Sequence, residues 1–142
     1  MNFRTARGLA AYIVPTFALG FVWHLILFKD YYDALAMYRH DVIIPFGLLS
    51  MAIQGLLFAI VYERLVQSMA RGALARGLLY GAFGVALSWS FTTIAVAAKN
   101  VMTSVPAYLA IETAFTLTQW AMVAPLTIWV YSLRRSDSAM PA

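Results

Sequence analysis

The chain has 142 residues, of which 63% are hydrophobic and 11% charged, and its mean hydropathy is +0.76. A water-soluble domain carries roughly 45–50% apolar and about 25% charged residues, so this composition leaves too little polar surface to face water and points to a bilayer. The absence of cysteine excludes disulfides, thiol catalysis and thiolate metal sites, and the net charge of +4 does not indicate nucleic acid, because the basic residues lie in short clusters beside apolar stretches.

Four stretches are long enough to cross the roughly 30 Å hydrocarbon core, which takes about 20 helical residues. They cover about 9–28, 42–62, 77–98 and 106–131. Their short connections predict one all-α membrane domain, a four-helix up-down-up-down bundle. Arg4 and Arg7 before the first span resemble the start of a secretory signal. The span is too long for a signal h-region and meets Lys29 and Asp30 with no small-residue cleavage site, so it is read as retained.

Orientation follows from the basic residues beside the spans. Arg4, Arg7, Arg64, Arg71, Arg76, Arg134 and Arg135 fall on one side, and Lys29, Arg39 and Lys99 on the other. This seven-to-three bias predicts a multi-pass protein with both termini in the cytoplasm. Between the first two spans, residues 29–41 carry three of the six acids, with Tyr31, Leu35 and Tyr38 at helical spacing. A short interfacial helix is expected there.

Asp41 and Ser104 stand where caps of the second and fourth helices belong, ahead of Pro45 and Pro106. Pro15 and Pro125 lie inside spans and predict bends. Gly77, Gly81 and Gly84 form a flat seam on the third helix, expected to pack inside the bundle. Val61-Tyr62 and Val130-Tyr131, with Trp23 and Trp89 at comparable depths, suit a duplicated hairpin.

The polar residues inside the spans carry the functional reading. They are His24 on the first, Gln54 on the second, Thr92 on the third, and Glu112 and Gln119 on the fourth. An ionisable group in the hydrocarbon costs roughly 2.5–3.5 kcal/mol on insertion scales, so such groups turn inward and find partners. All lie in the same half of the membrane and could converge on one outward-facing pocket, with Trp23, Trp89 and Trp120 as apolar walls. Glu112 is expected to face the interior, with His24 as its first candidate partner. Haem ligation by His24 with Met51 is a weaker reading, and no cofactor is expected. Nucleotide-binding loops and nucleophile elbows are absent, so no catalytic residue is assigned.

Gly20-Phe21-Val22-Trp23-His24, with Phe28, resembles the first hairpin of small four-helix bacterial inner-membrane proteins of unknown function. That resemblance implies topology and a bacterial origin and supplies no site residues. Three functions remain open on the sequence. The first is a non-catalytic membrane protein binding a small lipophilic ligand in the polar pocket. The second is an accessory subunit meeting a membrane-protein partner, and the third is an oligomeric proton-coupled transporter of small molecules.

Overall fold

In the computed structural model, residues 3–38, 41 and 43–133 are described. They are helical, with no strand among them. Helix α1 (Phe3–Val22) runs into a π-helical turn (Trp23–Leu27), and α2 (Lys29–Leu35) follows. Helix α3 (Ile44–Val61) also ends in a π turn (Tyr62–Val66). Helix α4 (Ala73–Ser88) continues through a third π turn (Trp89–Ile94) into α5 (Ala95–Lys99), and α6 (Val105–Ser132) closes the fold. Among the described residues three rods are long and apolar enough to cross a membrane: Phe3–Leu27, Ile44–Val66 and Ala73–Lys99. At 28 residues α6 is long enough as well, and it buries Glu112, Thr116, Gln119 and Thr127 among its apolar residues.

The packing is inverted relative to a soluble protein. Thr93, Thr116 and Thr127 are at most 1% exposed, whereas Phe46, Leu78 and Phe91 are more than 60% exposed. Burying hydroxyls while exposing large apolar side chains is stable only where the surroundings are apolar, and the chain is a helical membrane protein.

The helices pair antiparallel. Thr5 near the start of α1 bonds Glu63 just beyond α3, and Tyr12 bonds Gln54. Gly8 lies against Tyr131 at the far end of α6, and His24 meets Glu112 near its beginning. Between α4 and α6 the glycine seam is used fully: Gly77 faces Ile128, Gly81 faces Ala124, and Gly84 faces the Trp120 ring. The spacing of four on α6 matches the rise between the glycines, so the two backbones close like adjacent ridges and grooves. Helices α3 and α4 meet through Phe58, Tyr62, Tyr80 and Phe83 toward the Arg64 end.

Local signals resolve unevenly. Ser104 caps α6, its Oγ accepting the Ala107 N–H at 3.3 Å, and Pro106 and Pro45 sit in first turns as expected. Asp41 is not at the cap position of α3: the helix starts at Ile44, and Ile43 stands in that place. The interfacial helix forms but is short. It buries Tyr32 and Leu35 and stops at Ala36, whose φ of 53° is left-handed. Arg39, His40, Val42, Arg134 and Arg135 lie outside the described residues. Trp23 and Trp89 each open a π turn, whereas Tyr62 opens one and Tyr131 lies within α6, where the two tyrosine rings pack at 4.8 Å.

Candidate functional site: a polar cavity beside His24 and Glu112

Helix α1 presents Thr5, Tyr12 and Thr16 on its buried face, and the π turn carries His24 at the end of the same face. Helix α6 answers with Glu112, Thr116 and Gln119, spaced four and three apart and therefore stacked on one side. Where these faces meet, His24 Nε2 lies 3.2 Å from Glu112 Oε1, and Tyr32 of α2 donates its O–H to the same oxygen at 2.6 Å. The Tyr32 and Tyr38 rings stack at 5.2 Å, and the His24 ring lies 4.7 Å from Tyr32 and 4.6 Å from Phe115. Tyr38 also faces the Glu112 carboxyl.

The hydrogen bonds fix the number of protons in this pair. His24 Nδ1 is 3.0 Å from the Gly20 carbonyl, which can only accept, so Nδ1 carries a hydrogen. One further proton is needed between Nε2 and Oε1. It resides either on the imidazole, giving an ion pair, or on the carboxyl, giving a neutral pair. In both forms the net charge is zero, which suits a group withdrawn from water.

A cavity of about 390 Å³ opens beside this pair, among α1, α3, α6 and the rod begun by α4. His24, Gln54, Thr92, Glu112 and Gln119 all line it, so the five polar residues singled out in the sequence share one space. Gln54 accepts the Tyr12 O–H at 2.8 Å and donates to Ser50 at 2.9 Å. Gln119 donates to Thr16 at 3.1 Å and reaches the Tyr12 oxygen at 3.4 Å. The Thr92 hydroxyl turns back to the Ser88 carbonyl, 2.8 Å away, and the Thr92 carbonyl accepts the O–H of Tyr108.

The tryptophans expected as walls stand elsewhere. Trp23 packs on Phe28 and Phe115, and Trp89 donates its indole N–H to Thr113 at 2.9 Å. Trp120 bonds Ser88 at 3.0 Å and lines a separate apolar groove of about 620 Å³ between α4 and α6. Depth in the membrane is readable from the sequence, but the direction of an apolar side chain around its helix axis depends on which neighbouring helix that face meets. The apolar walls are instead Phe17, Phe21, Tyr38 and Phe115, with Leu25 and Leu48 at its side.

Comparison with family models, with curated proteins and with solved structures gives no match. The reading of the site rests on its own geometry.

Two further polar features were not singled out from the sequence. At the opposite end of α1, Glu63 accepts O–H bonds from Tyr131 at 2.8 Å and Thr5 at 3.2 Å, so this carboxylate too is satisfied from neighbouring helices. Its place beside Arg64 at a span end disguised it as an interfacial charge. On α2, Lys29 pairs with Asp33 one turn on, and that carboxylate holds the exposed ammonium above the ordinary lysine value.

Proposed function

We propose that this protein is a non-catalytic membrane protein that binds a small lipophilic ligand in the cavity beside His24 and Glu112. The observation that carries the reading is the convergence of five intramembrane polar side chains, from four rods, on one largely apolar space. Ligand pockets are commonly about 300–1,000 Å³, mostly apolar, with a few polar groups that fix orientation. A cavity of about 390 Å³ falls in that range. Helix locking alone would favour well-packed polar contacts with no space beside them.

The same reading makes α6 the fourth span. Its polar face is turned to α1 and it packs against both α1 and α4, which gives it a central position in the bundle. With the seven-to-three basic bias, both termini face the cytoplasm and the His24 end faces outward, in a bacterial inner membrane.

Native mass spectrometry of the protein purified in mild detergent tests the binding. The wild type should retain a small molecule. Gly47→Phe should lose it with an unchanged helical spectrum, because Gly47 lines the cavity and a side chain there meets nothing within 4 Å. Equal retention by both proteins, or by neither, would count against a ligand in this cavity.

A further inference from the structure

The chemistry of the cavity also bears on the class of ligand, and this step rests on the binding function proposed above. Among the described residues no lysine or arginine lines the space. Among the described residues its one carboxyl group is Glu112, and its aromatic lining is Tyr12, Phe17, Phe21, Tyr38 and Phe115. An anionic headgroup would meet a carboxyl and, among the described residues, no fixed cation. A neutral headgroup would gain only hydrogen bonds, and the amides of Gln54 and Gln119 are already engaged by Tyr12, Ser50 and Thr16. A cation gains from both components, because ring faces within about 6 Å attract it and a carboxylate attracts it more strongly where water is excluded.

Accommodating a cation also resolves the proton count. The pair holds one proton beyond the Nδ1 hydrogen, and a second positive charge beside a protonated pair would be uncompensated in the membrane. We propose that the ligand is a lipophilic organic cation, an amine or quaternary ammonium with an apolar body, which exchanges for the proton shared by His24 and Glu112. In the bound state the carboxylate faces the cation and the imidazole is neutral, still donating from Nδ1 to Gly20. One proton leaves for each cation that enters, so the net charge of the site stays zero. The half-exposed Phe21, Leu25 and Leu48 give the cavity an apolar flank for the ligand's body.

The other groups facing Glu112 do not carry the exchange. Tyr32 from α2 donates to it, Tyr38 faces it from the following loop, and Tyr108 lies on its own helix. Each is a phenol that remains protonated across the neutral range. Lys29 and Asp33 pair with each other on the exposed side of α2.

Equilibrium dialysis of the purified protein in detergent, against empty micelles, tests the exchange. The probes are benzyltrimethylammonium, whose charge does not titrate, and neopentylbenzene, its neutral isostere. The cation should bind at least tenfold more tightly than the isostere. Its affinity should rise by up to about tenfold per pH unit while the pair retains its proton, with one proton released per cation bound. Glu112→Gln should abolish both the preference and the pH dependence. Phe115→Leu, which leaves the carboxyl in place, should weaken cation binding severalfold and spare the isostere. Tighter binding of the isostere, or cation binding without proton release, overturns the exchange and leaves the cavity reading standing. If neither probe binds the wild type, the cavity reading fails with it.

Discussion

Gly84 gives the sharpest test of the packing. A Cβ built there would overlap the ring of Trp120, whereas one at Gly81 stands 3.3 Å from the Ala124 Cβ and one at Gly47 meets nothing within 4 Å. Trp120 cannot swing away cheaply. It is 2% exposed, bonded to Ser88, and packed against Phe58, Tyr80 and Tyr12 at ring distances of 4.6, 5.4 and 6.1 Å. Forcing an extra carbon into such a contact costs about 1–3 kcal/mol. Alanine recovers about 0.5–1 kcal/mol over glycine in a helix. Gly84→Ala should therefore lose about 1–2 kcal/mol, Gly81→Ala should be near neutral, and Gly47→Ala should gain about 0.5–1 kcal/mol. Reversible unfolding in mixed micelles, followed by helical circular dichroism, measures all three. If Gly84→Ala proves as stable as Gly47→Ala, α4 and α6 do not pack through this seam.

Three further outcomes are expected. His24→Leu leaves Glu112 with only the phenols of Tyr32 and Tyr38 and should destabilise by about 3–5 kcal/mol, while adding Glu112→Leu should recover most of that loss, measured as a double-mutant cycle in the same unfolding assay. Ala36→Gly relieves a left-handed backbone and should stabilise by about 1 kcal/mol; an unchanged midpoint would mean the end of α2 is not held there. A cysteine at Ala34 should react with an impermeant thiol reagent from outside the cell and one at Ala73 should not, and the reverse pattern would invert the orientation.

The rods and the polar pair were legible in the sequence because hydrocarbon imposes strong rules. Length and apolarity reveal a span, and the cost of an unpaired charge sends Glu112 and His24 toward each other. The glycine seam was legible for a related reason, since close approach in lipid needs small residues. The walls of the cavity were not. Phe115 and Trp120 lie on the same uninterrupted helix and differ only in direction around its axis, so depth alone could not tell that Trp120 would turn to the α4 seam and Phe115 to His24. Tyr32 escaped notice because it lies in a connection, where an aromatic residue reads as an interfacial anchor until the chain is seen folding back over Glu112. The chemistry of Tyr12 was hidden by composition, because a tyrosine in an apolar run gives no sign of which glutamine its hydroxyl will meet.

The central claim is that Glu112 sits at the wall of an occupied cavity within the bundle. The most direct measurement is an electron-cryomicroscopy map of the protein in a lipid nanodisc, obtained with a rigid binding partner that adds mass. The account predicts non-protein density among α1, α3 and α6, beside Glu112 and within reach of His24. A map with the helices closed upon one another at this level, or with Glu112 turned to lipid, would contradict it.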